Sequence, residues 1–318
     1  MPTDWINPLA YIGLAALTYT TYKFTRQATV YLLPSTLSKT HNPSGQNWAL
    51  VTGATDGIGF GFSQELCARG FNVILHGRNA SKLENRAREL GAEFPNCKTE
   101  IVVLDVVSVT SAGIDTVASQ IRAITEKHGG DLSVLVNNVG GEVKPYTLVD
   151  GYTFEEAAMT VDMNAGFMLQ ITRALLPLLC EGTKGLVLNV SSISAFGMPY
   201  ISVYSASKGF VDSFTRALEA EFYAESRNVD IMGLRVGQVR TANFGVTRGL
   251  FVPNGRILAS AALNRVGCGQ VIVWAYFWHW VQGLSVELLP RSMILKITTM
   301  KIKSLKKLEH GGNKVKNT

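Results

Sequence analysis

The stretch from Trp48 to Asn79, WALVTGATDGIGFGFSQELCARGFNVILHGRN, constrains this chain more tightly than any other. A short apolar run meets a glycine-rich turn, a helical stretch follows, and a second apolar run closes the unit, which is the pattern of strand, turn, helix and parallel strand. The same alternation continues through EIVVLDV, LSVLVNN, KGLVLNVSS and NVDIMGLRV. Strands that are apolar at successive positions bury both faces, so helices must cover the sheet on either side. The chain is therefore expected to be an α/β protein built on a doubly wound parallel sheet. No internal repeat or low-complexity segment interrupts it.

Within the first unit, Gly53, Gly57 and Gly59 lie between strand and helix. Glycine lets the backbone turn tightly and approach a pyrophosphate, whose charge the helix N-terminus favours. The spacing is GxxxGxG rather than GxGxxG, and the strand-turn-helix context is what points to a dinucleotide. Thr55, Asp56 and Ile58 complete the turn and are assigned to the same site. The second strand ends in HGRN. An acidic residue there would hydrogen-bond the 2′-hydroxyl of NAD, whereas Arg78 can meet the 2′-phosphate of NADP. NADP(H) is the expected cofactor, with a merely solvent-facing Arg78 as the alternative.

Further along, YSASK places Tyr204 and Lys208 four residues apart. On a helix these positions share a face, and a nearby ammonium can draw a phenol pKa of about 10 toward the working range of a proton shuttle. Two ordinary surface residues are the competing reading of that pentapeptide alone.

Composition bears on the surroundings. Hydrophobic residues make up 47% of 318 and charged residues 17%, with mean hydropathy +0.15, which suggests some apolar surface in contact with lipid. The net charge of +6 is uneven: from Arg291 onward eight basic residues against Glu309 carry +7, leaving the remainder at −1. A near-neutral body with a basic end argues against a nucleic-acid partner and for a tail facing anionic headgroups. Near the start, Ile6 to Tyr22 is uncharged and apolar or small, at the short end of a membrane span, with Lys23 and Arg26 after it. We read residues 1–33 as a membrane anchor, with a buried amphipathic helix as the alternative, 34–46 as a polar linker, 47–266 as the nucleotide-binding domain and 267–318 as an aromatic and basic extension lying on the membrane or covering substrate, with ordinary C-terminal core packing as the alternative. In that extension Ile294, Ile297, Leu305 and Leu308 are expected to form the apolar face of an amphipathic helix. Cys67, Cys97, Cys180 and Cys268 are scattered without CxxC or His/Cys clustering, so reduced thiols and no metal site are expected. Of two Asn-x-Ser matches, Asn79 is expected on an exposed turn and Asn189 on a buried strand.

Collected in order, the chain carries TGxxxGxG at Thr52–Gly59, NNVG at Asn137–Gly140, Asn164, the serines closing LNVSS and YxxxK at Tyr204–Lys208. Over about residues 47 to 265 this set resembles the short-chain dehydrogenase/reductase family and so implies a Rossmann-type sheet, here with an N-terminal anchor helix. Within the family, TDGIG, NNVG and YSASKGFVDSF, with the anchor and the basic tail, look most like the very-long-chain 3-oxoacyl-CoA reductases of the endoplasmic reticulum.

The resemblance implies that Tyr204 protonates a carbonyl oxygen while NADPH delivers hydride to carbon. Lys208 would lower the tyrosine pKa and hold the nicotinamide ribose, and Asn164 would anchor a water through which the proton is replaced. Asn138 and Asp105 would contact the adenosine side and ribose, although Asn137 could simply brace the strands. RVGQVRT is similar to the family's RPGxVxT, which gives Val239 and Thr241 to the carboxamide and phosphates, with Val236 in place of the proline. A fixed serine must share the oxyanion. Ser191 lies thirteen positions before Tyr204, as the family pattern asks, while Ser192 is the second of the strand-end pair, as it also asks. Ser192 is preferred, because a loop loses a residue more easily than a buried strand changes register.

The implied function is NADPH-dependent reduction of a lipophilic carbonyl, a 3-oxoacyl-CoA first, with a steroid-like ketone or secondary-metabolite intermediate as the alternative. A non-catalytic nucleotide-binding membrane scaffold would have no use for Tyr204, Lys208, Asn164 and a strand-end serine together. The expected setting is the endoplasmic reticulum membrane with the catalytic domain facing the cytosol, and a homodimer is compatible with it.

Overall fold

The computed structural model describes residues 6–241 and 249–315. Seven strands make one sheet: β1 (Trp48–Thr52), β2 (Asn72–Gly77), β3 (Thr99–Val103), β4 (Leu132–Asn137), β5 (Gly185–Val190), β6 (Val229–Arg235) and β7 (Ile272–Trp274). Their order is β3-β2-β1-β4-β5-β6-β7, and every neighbouring pair is parallel. The chain builds outward from β1 to β3 and then crosses to β4. That reversal opens a crevice at the carboxyl ends of β1 and β4, where open α/β sheets bind ligands.

The helices are α1 (Ile6–Thr29), α2 (Leu37–His41), α3 (Gly57–Ala68), α4 (Ala80–Glu93), α5 (Ser111–His128), α6 (Phe154–Val161), α7 (Phe167–Glu181), α8 (Ser202–Ala224), α9 (Gly255–Leu263), α10 (Phe277–Leu288) and α11 (Arg291–Val315). A π turn, Asp162–Gly166, joins α6 to α7. Strand residues alternate between two cores, as the period of a strand requires. On one face Ala49 and Val51 pack with Phe62 and Leu66 of α3 and Leu258 of α9. On the other Trp48 and Leu50 pack with Ile121 of α5, Ile171 of α7 and Leu218 of α8. The sheet is thus doubly wound, as expected.

Three expectations meet differences. The segment 34–46 is packed rather than a bare linker: Leu37 and His41 of α2 are buried, His41 Nδ1 lies 2.8 Å from the Lys184 carbonyl, and Asn42 Nδ2 donates to Gly70 O at 2.9 Å. The sheet also runs past residue 266, because Ile272–Trp274 pairs with β6. Part of the aromatic run is therefore core, with Trp274, His279 and Trp280 buried. Finally, Cys67 of α3 and Cys97 ahead of β3 are joined as a disulfide, while Cys180 and Cys268 are free, which corrects the expectation of four reduced thiols. The pair is distant in sequence, and only the crossing from β2 through α4 to β3 brings it together.

Helix α1 stands apart from these cores. From Leu9 to Tyr22 its large apolar side chains are each at least 60% exposed. Among the described residues its end and the turn after it are what is tied down: the Phe24 and Trp280 rings lie 5.4 Å apart, Tyr31 donates to the Trp274 carbonyl at 3.0 Å, and Arg265 donates to Val30 O at 2.8 Å. Among the described residues the helix long and apolar enough to cross a membrane is instead Phe154–Glu181, half of it buried against the sheet as a core rod. The case for α1 at a membrane therefore rests on its uncovered apolar surface. Met1 to Asp4, which an anchor followed by Lys23 and Arg26 on the cytosolic side would leave on the lumenal side, lie outside the described residues, as do residues 242–248.

Candidate active site

A cleft of about 400 Å³ opens at the carboxyl ends of the strands. Its walls include Gly53, Thr55, Asp56, Gly57 and Ile58 from the glycine turn, Arg78 after β2, Asn138 after β4, and Thr241. Ser191, Tyr204 and Lys208 close the other end. Gly57 has φ +57°, and a Cβ there would sit 2.6 Å from Thr241 Cγ2, so the turn admits only glycine. A Cβ on Gly59 would sit 2.2 Å from the Gly53 carbonyl, so this residue lets the turn fold onto itself from beneath. The Asp56 carboxylate caps α3, accepting from Gly57 N at 2.7 Å. Asn138 clips β4 to β1, its Nδ2 donating to Thr52 O at 2.9 Å. Arg78 is exposed on the wall, and its guanidinium has no acidic partner among the described residues.

The other end is built by the first turns of α8 lying against the end of β5. Lys208 is buried; its Nζ donates to the Val190 carbonyl at 2.8 Å and stands 5.7 Å from the Tyr204 ring centroid. The Ser192 hydroxyl lies beside the Tyr204 phenol and acts to lower its pKa. It also accepts from Ser194 N at 3.1 Å, which fixes its direction. Ser191 Oγ donates instead to the Lys208 carbonyl at 3.3 Å, toward the helix backbone. Asn164 sits on the π turn, a local irregularity frequent at functional sites. Its Oδ1 accepts from Gly141 N at 3.0 Å, and its Nδ2 donates to Gly141 O and Thr160 O at 2.7 Å each.

The electrostatics differ from the simple expectation. Burial pushes the Tyr204 phenol up to about 12, opposed by the Ser192 hydroxyl and reinforced by Glu142. Burial likewise pulls the Lys208 ammonium down to about 8, with Asp212 opposing. The lysine thus does not bring the phenol toward neutrality here. Desolvation penalises both charged forms, and the ammonium is turned to the Val190 carbonyl.

Residues 47–248 match the family model described as short chain dehydrogenase. The chain belongs to the short-chain dehydrogenase family. A very-long-chain 3-oxoacyl-CoA reductase of Caenorhabditis briggsae is 32% identical over 297 residues, covering 91% of this chain and 90% of that one. The Mus musculus very-long-chain 3-oxoacyl-CoA reductase is 30% identical, covering 81% and 80%. Among solved structures, a 7β-hydroxysteroid dehydrogenase superposes with a TM-score of 0.69 at 20% identity, over 83% of this chain and 99% of that one. A short-chain dehydrogenase from Escherichia coli CFT073, complexed with NADPH, superposes at 0.63 and 22% identity, over 72% and 95%. These last two show the fold.

Within this short-chain dehydrogenase, not every expected residue reaches the cleft. Gly59, Asn164 and Ser192 are not part of its lining. Asp105 is exposed and folds back, its Oδ1 accepting from Val107 N at 3.1 Å, while Leu104, Val106 and Val107 supply the lining. Val239 is buried in the core, and Val236 takes the place on the wall. Asn137 braces, its Nδ2 donating to Thr172 Oγ1 and Asn189 Oδ1 at 2.8 Å each. One lining residue went unread. His76 is buried on the cleft wall, stacked 5.3 Å from Phe167, with no hydrogen-bond partner on either ring nitrogen among the described residues and its pKa lowered by burial to about 4. A lone polar residue inside the apolar strand NVILHG was the available signal. Orphaned buried nitrogens call for an explanation, and with the glycine cradle and Arg78 nearby they fit a polar nucleotide ligand. The family's nicotinamide cofactor fits these residues.

Proposed function

We propose that this dehydrogenase is a membrane-associated, NADPH-dependent reductase of 3-oxoacyl-CoA thioesters. The observation that carries the chemistry is the Tyr204 phenol beside the Ser192 hydroxyl, with the buried Lys208 ammonium 5.7 Å from the same ring centroid. The two reductases named above, matched over most of the chain, support the substrate, and the uncovered apolar side chains of α1 support the membrane.

When bound, NADPH supplies the hydride to the carbonyl carbon. The phenol of Tyr204, kept protonated at neutral pH by burial, donates its proton to the oxygen. The Ser192 hydroxyl, already aimed at that phenol, shares the negative charge developing on the same oxygen. Lys208 offsets the phenolate left behind. Asn164 Oδ1 and Lys208 Nζ both flank Gly140, where an added Cβ would meet them at 2.6 and 3.0 Å. We assign to this junction the water-borne return of the proton. Arg78 would hold the 2′-phosphate and so select NADP over NAD.

The test is NADPH consumption by the full chain with 3-oxoacyl-CoA set against small lipophilic ketones, with NADH as the control cofactor. Turnover of the thioester with NADPH is expected. Turnover of ketones alone would remove the acyl-CoA assignment, and equal use of NADH would remove the role of Arg78.

A further inference from the structure

The catalytic tyrosine is covered by a helix from the far end of the chain. The inward side of α11 is Ile294, Thr298, Ile302 and Leu305, at steps of four, four and three residues that keep one helical face. Ile297, expected on that face, is 46% exposed, and the side chain of Leu308 lies outside what the structure describes. Ile302 is only 6% exposed and forms a cluster with Tyr146 and Ile201, against which Leu305, Tyr200 and the catalytic Tyr204 pack. Lys306 fastens the contact, its Nζ donating to Tyr146 O at 3.0 Å and standing 5.9 Å from the Tyr200 ring centroid.

Two further features mark this seam. Tyr146 and Tyr200 have φ of 56° and 64°, the left-handed region that costs a non-glycine residue energy and is often retained at functional sites. Lys306 of α11 touches both of them. Immediately after Tyr146 the chain exposes Leu148 at 58% and Val149 at 65%, so the seam ends in an apolar rim.

We propose that α11 is the roof of the substrate site. A carbonyl held at the Tyr204 hydroxyl must send the rest of its molecule past one of the surrounding walls. The cofactor side is the glycine turn and Arg78; the other side is the apolar seam between Ile302 and Leu305 above and Tyr146 and Ile201 below. The alkyl chain runs along this seam to the rim at Leu148 and Val149, and Ile302 measures its length. This rests on the reading of the site as a reductase of lipophilic carbonyls.

The test uses the full chain in detergent micelles and compares kcat/KM for long and short alkyl tails in two substrate series, 3-oxoacyl-CoA thioesters and simple methyl ketones. Each methylene that the seam buries is worth about fourfold in kcat/KM. Ile302→Trp, which fills the seam, should cut the long-to-short ratio about tenfold or more, and Ile302→Ala should move the ratio far less or raise it. An NADPH Kd within about twofold of the parent shows that each variant is folded. If both substitutions scale long and short tails by the same factor, Ile302 merely packs and the roof is overturned. If the parent reduces methyl ketones but no thioester, the acyl-CoA reading fails while the ketone series still decides on the roof. No turnover of either series overturns the reductase reading and the roof together.

Discussion

A phenol pushed up to about 12 and an ammonium pulled down to about 8 place the two groups to which we assign proton transfer on opposite sides of the usual picture. The phenol remains the donor at every ordinary pH, so the limb that can be seen is that of Lys208. kcat/KM for reduction, which reports the free enzyme, is expected to hold below about 8 and fall above it as the lysine loses its charge. A profile that stays flat well beyond that value would count against the assignment. Tyr204→Phe should remove turnover yet leave NADPH affinity within about twofold, because the hydroxyl acts on the developing oxyanion. Ser192→Ala should cost about 10²–10³ in kcat and more than Ser191→Ala, since only Ser192 meets the phenol; the reverse order would show that the strand-end choice was wrong. That Tyr204, Lys208 and a strand-end serine come together at the cleft was legible because YxxxK and the serine pair stand in the chain itself. The protonation states were not, because desolvation depends on what covers the pair, and part of that cover comes from residues about a hundred positions away.

At the scale of elements, six strands could be read from their apolar runs and the seventh could not. β7 and α10 are rich in aromatics, and composition alone does not separate a lipid-facing aromatic from one packed against a sheet edge. The distinction matters for the cofactor loop. Gly237 N donates to His279 Nδ1 at 3.0 Å, which leaves the hydrogen on Nε2, 3.3 Å from the Gln238 carbonyl. The imidazole thereby pins the backbone between Val236 and Thr241, at the point where the family pattern has a proline. His279→Ala should raise the NADPH Kd severalfold and lower stability by about 1–3 kcal/mol, the cost of leaving buried backbone groups unpaired. Thermal melting and cofactor titration on the same variant read the two effects, and an unchanged Kd would reduce His279 to core packing. Arg78→Ala, at the end of β2, should weaken NADPH far more than NADH, with equal losses as the contrary result in a paired titration.

For the whole molecule, His76 and His279 are both held neutral, with pKa about 4 against an ordinary 6.5. Between those values the unfolded chain binds protons that the folded chain refuses. Stability is therefore lost as pH falls from about 6.5 toward 4, by at most about 1.4 kcal/mol per pH unit for each histidine. Urea midpoints at neutral and mildly acidic pH should differ accordingly, and coincident midpoints would contradict it. In cells the full chain is expected to pellet with membranes and to be digested by protease added to intact microsomes. No glycan is expected at Asn79, which caps α4 on an exposed turn beside Arg78. Protection from protease, or a glycosidase-sensitive shift that Asn79→Gln abolishes, would reverse the orientation.

The attachment of Tyr31 to Trp274 spans 243 positions along the chain. At translation speeds of about 5–20 residues per second, the helix preceding Tyr31 leaves the ribosome roughly 10–50 s before its docking ring exists. Through that interval α1 lacks this docking ring, so the anchor we propose would have to find its apolar phase before the edge of the sheet that fastens its end has been made.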